Sequence, residues 1–280
     1  MSDGTPSISV ILATYNWPEA LDLCLQSLQT QTDLDFEICI ADDGSLPETG
    51  QLIADWQARS GVPIAHHWQE DQGFRKARIL NEAIRHARGA YLVFLDGDCL
   101  VQPDFIARHR ALAEPGFLVT GARILLGQDL TRTLCAQRRW QFDAFKAQAW
   151  RWRWQGQLNK WWPLQLKWPD HRGRVYSGFV WRRIKGCNMA AWREDVQRMG
   201  GFDEGLEGWG HEDADFVYRL QCEGVRRKSG SWSTEVLHLW HRTASKETAE
   251  KNAAIVRAKI QAKTRTTINT PAPTQRGPAP

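Results

Sequence analysis

Three short clusters in this sequence hold the residue types that metal-assisted group transfer requires. Asp96-Gly97-Asp98 sets two carboxylates one residue apart, directly after the apolar run Tyr91–Leu95. A hard divalent cation takes oxygen ligands and often shares them with substrate phosphates, so such a pair can hold Mn²⁺ or Mg²⁺. A cation there neutralises a diphosphate leaving group and polarises the bond being broken. An acidic turn is the plainer alternative, and the position after a buried strand favours the metal. Gly208-Trp209-Gly210-His211-Glu212-Asp213-Ala214-Asp215 is the second cluster. Acids at a helix start are favoured by the helix dipole. The number of titratable groups here exceeds that need. A carboxylate at this place can take a proton from a hydroxyl while Trp209 stacks on a sugar face. His238-Leu239-Trp240-His241 is the third. Its two histidines can complete a metal site with Asp98.

Two further groups are weaker. Asp42 and Asp43 can accept hydrogen bonds from a nucleobase or ribose, or cap a helix and shape a turn. Arg75, Lys76 and Arg78 can meet phosphates, or form a solvated basic face. After the first strand the text is ATYNWPEA, without the GxGxxG of dinucleotide sites, and no GxxxxGK[ST] loop occurs.

These residues need elements to place them. Ser7–Thr14 reads as a fully buried strand. Pro18 suits the first position of a helix, with Asn16 as a cap, and Leu21, Cys24, Leu25 and Leu28 keep helical spacing. Strands at Phe36–Ala41, Ile64–Trp68 and Tyr91–Leu95 alternate with helices marked by Leu52, Ile53 and Trp56 and by Leu80, Ala83, Ile84 and Ala87. Another helix is expected over Asp104–Leu112. Repeated β-α units give a parallel, doubly wound sheet, with ligands beyond the carboxyl ends of the strands. The turns carrying Tyr15-Asn16, Asp42-Asp43-Gly44-Ser45 and Asp96-Gly97-Asp98 all fall on that edge. Regular elements resume from Trp181 to Leu239, and a terminal helix is expected over Lys246–Lys263.

The chain has 280 residues, enough for one large α/β domain or one with a small appendage. A hydrophobic content of 42% supports a sizeable core. The net charge of +4 suits anionic ligands such as nucleotide diphosphates but is too small to argue for nucleic acid. Cys24, Cys39, Cys99, Cys135, Cys187 and Cys222 form no CxxC pair and read as reduced, buried thiols of a cytosolic protein. No signal peptide or transmembrane run is expected. Tryptophan is abundant, at 15 residues, with nine of them between Trp140 and Trp192.

ATYN, ADDGS, GFRKARILNEAI, FLDGDC, KGCNMA, GGFDEGLEGWGHED and HLWH, taken in order, resemble glycosyltransferase family 2 with the GT-A fold. The C-terminal part resembles the galactosyltransferase-type module with a GWGxED loop. The resemblance covers about residues 7–245. It implies a nucleotide-diphospho-sugar transferase fold with a mostly parallel central sheet and a helical or irregular Trp-rich insertion. It implies an inverting enzyme that moves a hexose or N-acetylhexosamine from a UDP-sugar to a glycan or lipid-linked acceptor during surface polysaccharide or lipopolysaccharide synthesis. Thr14, Tyr15 and Asn16 would line the nucleotide pocket, with Asp42 at the uracil or ribose. Arg78 and Asp96 would contact the donor, and Asn188 and Met189 would border its sugar. Asp98 would bind Mn²⁺ or Mg²⁺ with His241, and with His238 as alternative or second. Asp213 would be the general base. Glu212, Trp209 and His211 would grip the acceptor, His211 standing where relatives commonly carry glycine or another residue.

The resulting division is a nucleotide-sugar-binding half (1–126), a Trp/Arg-rich insertion (127–180), an acceptor-binding and catalytic half with a terminal helix (181–265), and a disordered tail (266–280). The insertion, with Trp150, Trp152 and Trp154 alternating with Arg151 and Arg153, is expected to form an acceptor lip or a peripheral patch on an anionic membrane, or else to be an ordinary packed subdomain. The expected location is cytoplasmic, at the inner membrane face where such a patch operates, with no nucleic-acid partner. A nucleotidyltransferase and a non-catalytic glycan-binding module are the competing readings.

Overall fold

A computed structural model of the chain describes residues 7–181, 183–242 and 248–269. Its centre is strand β1 (Ile8–Thr14), buried along its whole length. Parallel neighbours flank it: β2 (Phe36–Asp42) on one side and β4 (Tyr91–Asp96) on the other, with β3 (Ile64–Trp68) beyond β2. The sheet continues as β8 (Asn188–Trp192), β6 (Phe117–Thr120) and β9 (Arg226–Ser229), giving the order β3-β2-β1-β4-β8-β6-β9. Only β8 runs against its neighbours. The doubly wound, mostly parallel α/β sheet expected from the sequence is therefore present.

Side chains alternate across a strand, so β1 feeds two cores. Val10 and Leu12 meet Leu21, Cys24, Leu25 and Leu28 of α1 (Pro18–Gln29), Ile53 and Trp56 of α2 (Pro47–Arg59), and Phe105 of α4 (Phe105–Leu112). On the other face, Ile11 and Ala13 meet Leu80 and Ala83 of α3 (Lys76–His86) and Phe216 and Leu220 of α8 (Glu212–Cys222).

A second sheet of three short strands, β5 (Cys99–Leu100), β10 (Val236–His238) and β7 (Arg123–Leu125), sits beside the main one. It carries a third core. Leu100, Ile124 and Leu237 pack with Leu130 and Leu134 of α5 (Gln128–Gln137) and with Phe145 and Ala149 of α6 (Phe142–Trp154). The Trp/Arg-rich segment is therefore partly an ordinary packed subdomain. Arg174 holds its far end, donating to the carbonyls of Trp168, Pro169, Ser229 and Ser231.

Three expectations need correction. Asn16 is not the cap of α1: Trp17 holds that position, without a side-chain cap bond. Asn16 adopts a left-handed conformation (φ 46°), and its side-chain oxygen accepts from Leu46 N–H ahead of α2. Cys135 and Cys222 are half-buried rather than buried, and none of the six cysteines is in a disulfide. The terminal helix, α9 (Ala249–Asn269), runs past Thr266, where the tail was expected to begin. Residues 246 and 247 and the tail from 270 lie outside the described residues. Among the described residues no helix is long and apolar enough to cross a membrane.

Candidate active site

The carboxyl edge of the sheet gathers the polar turns. Gly97 N–H donates to the Ala13 carbonyl at 2.7 Å, and Asp43 N–H donates to the Thr14 carbonyl at 3.1 Å. The three turns are therefore tied by main-chain bonds before any side chain acts. Tyr15 reaches across them, and its exposed hydroxyl donates to Asp71 at 2.9 Å. That bond to Asp71 raises the phenol above its usual range.

The reversed β8 explains how the second cluster arrives. Leu95 pairs with Asn188, so the chain enters β8 at the edge where β4 leaves. The preceding loop brings Gly186 N–H to the Asp213 carboxylate at 2.9 Å. The other Asp213 oxygen accepts from Ala214 N–H at 2.7 Å. This anchors the start of α8 beside the DxD turn. From the far side, α9 holds the Gly-rich loop. Asn252 donates to the carbonyls of Glu207 and Gly210, and Thr248 donates to that of Trp209. Gly208 (φ 76°) and Gly210 (φ 112°) are left-handed, and a Cβ on Gly208 would lie 2.4 Å from the Thr248 hydroxyl. Glycine is needed there for both reasons.

The small sheet places the third cluster. His238 pairs with Cys99 in antiparallel register, one residue beyond Asp98. Asp98 Oδ2 then lies 3.7 Å from His238 Nε2 and 3.3 Å from His241 Nε2. One ligand atom from each of the three residues falls within 4.8 Å of the other two. His241 Nδ1 is 3.0 Å from the Arg242 carbonyl, which can only accept, so Nδ1 is placed to donate there while Nε2 faces Asp98. Burial lowers the His238 pKa and favours its neutral, ligating form. One carboxylate and two imidazoles fit Mn²⁺ better than Mg²⁺, which prefers an all-oxygen shell.

Between the clusters stands a charge network. Lys76, at the start of α3, forms an ion pair with Asp96 at 2.5 Å. Burial opposes its charge, but Asp96 and Glu212 outweigh that and raise the ammonium well above its usual value. Glu212 is the complementary case. Burial, then the neighbouring Asp213 charge, push its carboxyl up to about 7, and Lys76 opposes them. Its Oε2 is buried without a hydrogen-bond partner.

Several sequence candidates fall elsewhere. Asn188 is fully buried and acts as a cross-link, donating to Ala122 O at 3.0 Å and to Thr234 O, with His109 Nε2 3.3 Å from its oxygen. Met189 is 1% exposed and lies in the core with Phe94 and Phe216. Neither side chain is placed to border a donor sugar, because β8 turns them inward. Asp42 is wholly buried; it accepts from Ser45 N–H at 2.8 Å and faces His66 at 3.1 Å, so it shapes the turn. Asp43 is also committed, to Gln69 and to Arg75 N–H. Arg78 is exposed, and two residues along a helix turn it about 200° from Lys76. Of the basic run, Lys76 is the one at the centre, and helix phase alone selects it. Thr14 and Asn16 stay on the edge. Trp209 is half-buried, and the His211 ring packs edge-on against Trp181 at 5.2 Å. The Gly186 N–H had no signal in the sequence, being a main-chain group.

Residues 9–176 match the glycosyl transferase family 2 profile, and residues 177–242 match one described as the N-terminal domain of galactosyltransferase. The chain belongs to glycosyltransferase family 2. Among curated relatives, validoxylamine A glucosyltransferase of Streptomyces hygroscopicus subsp. jinggangensis is 30% identical over 247 residues, which is 83% of this chain and 56% of that protein. Hyaluronan synthase of Pasteurella multocida is 25% identical over 76% of this chain and 22% of its own length. The family 2 chain thus spans little more than half of the first of these and less of the second. Two solved structures share the fold. The mannosyltransferase PcManGT from Pyrobaculum calidifontis, in complex with GDP-Man and Mn²⁺, has a TM-score of 0.57 at 19% identity, covering 97% of this chain and 67% of that one. S. aureus TarS has a TM-score of 0.63 at 16% identity, covering 91% and 39%.

Proposed function

We propose that this family 2 protein is a metal-dependent, inverting glycosyltransferase that moves a hexose or N-acetylhexosamine from a UDP-sugar to a glycan or lipid-linked saccharide in surface polysaccharide or lipopolysaccharide synthesis. A lipid-linked acceptor would put the reaction at the inner face of the cytoplasmic membrane. The observation that carries this reading is the meeting of Asp98, His238 and His241 within ligand distance, on the edge that also holds Glu212.

Asp98, His238 and His241 would hold Mn²⁺, which supplies charge neutralisation of the diphosphate leaving group when bound. Tyr15, exposed on the same edge, offers a ring to the nucleobase. The acceptor hydroxyl oxygen forms a bond to the anomeric carbon as the carbon–oxygen bond to the diphosphate breaks, its electron pair leaving with the diphosphate. The hydroxyl proton needs a base. Asp213 is spent on two main-chain N–H groups, whereas Glu212 keeps an unpartnered oxygen and titrates near neutrality. A base works best with a pKa near the working pH. Glu212 is therefore the proton acceptor, and Asp213 orients the loop that carries it, which exchanges the roles expected from the sequence.

The test is a screen of nucleotide sugars with Mn²⁺, read as released nucleotide. Release from a UDP-sugar, abolished by Asp98→Ala, is expected. Release from GDP-sugars alone would replace the donor, and no release from any nucleotide sugar would overturn the transferase reading.

A further inference from the structure

The tryptophans left over from folding line a recess. Along α6, Phe145, Ala149 and Trp152 keep i, i+4, i+7 spacing and pack on the third core. Trp150 and Trp154 occupy another face, again four residues apart, and are 59% and 85% exposed. With Arg153, Asn159, Lys160, Trp161 and Trp162 they line an open recess of about 850 Å³. Trp161 and Trp162 stack at 4.3 Å, and Trp162 is still 53% exposed. Burial of core surface needs none of this exposed aromatic area.

The recess joins the catalytic edge through the backbone. Asn159 N–H donates to the Leu125 carbonyl at 3.2 Å, and its side-chain oxygen accepts from Leu125 N–H at 2.9 Å. Leu125 in turn is registered against His238. Two ladder spacings separate the recess floor from the metal-site histidine, about 10 Å. Lys160 is fixed toward the floor by the buried Glu235 carboxylate at 3.5 Å, while Arg153 is exposed.

Resting on the transferase reading above, we propose that this recess is a binding subsite for the acceptor, holding the sugar units behind the one that reacts. Flat aromatic faces stack on the C–H faces of pyranose rings, Arg153 supplies hydrogen bonds to hydroxyl or carboxylate groups at the rim, and at the floor the Asn159 amide N–H₂ can do the same, its oxygen being held by Leu125 N–H. The recess is open and shallow, so it suits an extended chain laid across its aromatic faces, and the exposed Asn159 amide beside them offers the directional polar contact that a saccharide uses. A short oligosaccharide lying here would reach the Asp98–His241 edge with its terminal hydroxyl.

The experiment titrates a linear gluco-hexasaccharide, and a hexasaccharide alternating hexuronate with N-acetylhexosamine, into the full chain by calorimetry. Anionic phospholipid vesicles are sedimented with the same protein in parallel. At least one hexasaccharide is expected to bind, with affinity falling tenfold or more in Trp154→Ala and Trp162→Ala. Trp168→Ala, an exposed tryptophan outside the recess, should leave it unchanged. Nucleotide-sugar hydrolysis should stay at the wild-type rate in all three variants, since the recess does not touch the donor. Its absence in the wild type would sink the transferase reading while the saccharide titration still reports on the recess. Lack of saccharide binding, equal loss in Trp168→Ala, or vesicle binding that depends on Trp154 and Trp162 while the hexasaccharides do not bind, would each overturn the subsite.

Discussion

Leu239 N–H donates to the Asp98 carbonyl at 2.9 Å, and this one main-chain bond sets the two histidines against the DxD turn. The proposed ligands therefore flank a paired strand: His238 closes β10, Asp98 directly precedes β5, and His241 lies three residues beyond His238. The spacing of Asp98 and His238 is fixed by the register of β5 and β10.

Removing a ligand should empty that site without unfolding the protein. Asp98→Ala and His241→Ala should each weaken Mn²⁺ binding by about 100-fold or more, given that even outer-shell losses cost 10–100-fold. Electron paramagnetic resonance of free Mn²⁺ reads this directly. Wild-type affinity in either variant would exclude that residue as a ligand.

The Glu212 pKa gives a pH dependence with a definite sign. A carboxyl raised to about 7 is protonated below that value, so transfer should rise with pH through about 7. The folding contribution has the opposite slope: the raised pKa stabilises the fold below the usual carboxyl value, and that contribution is lost as pH rises through about 7. Glu212→Gln should lower turnover by about 10²–10⁴-fold and remove the limb. If Asp213→Asn removes the limb while Glu212→Gln keeps it, the base is Asp213.

Lys76 and Asp96 should tune that limb in opposite directions. Lys76 opposes the Glu212 shift and Asp96 adds to it. Lys76→Met should move the limb to higher pH and Asp96→Asn to lower pH, read from rate profiles at saturating Mn²⁺. Shifts in the same direction would mean that the network does not control Glu212.

Asn188 should behave as a structural residue. Asn188→Ala leaves two main-chain carbonyls and His109 without their partner. The loss should be about 2–4 kcal/mol, or a fall in Tm of about 5–15 °C. The KM for the donor in the folded fraction should not change. A raised KM with unaltered Tm would return Asn188 to the donor site.

Much of this arrangement was legible in the residues themselves. Buried strands such as Ile8–Thr14 and Tyr91–Asp96 announce themselves by continuous apolar character, and the β-α alternation fixes where their polar turns must meet. Asp98, His238 and His241 could be grouped from residue chemistry alone, because few other roles require that donor set. What the sequence could not supply was facing. Asp42, Asn188 and Met189 lie in the right motifs but point inward, since a strand's phase and the reversal of β8 decide which side a residue presents. Lys76 prevails over Arg78 only through the turn of a helix whose start the sequence does not mark. The split of the tryptophans, with Phe145, Ala149 and Trp152 in the core and Trp150 and Trp154 on the recess, depends on which face of α6 meets the small sheet. Glu212 gains its near-neutral pKa first from burial and then from its neighbour Asp213, and the sequence shows the neighbour but not the burial. Local composition sets which chemistry is available. The pairing of distant segments sets the distance and dielectric on which that chemistry depends.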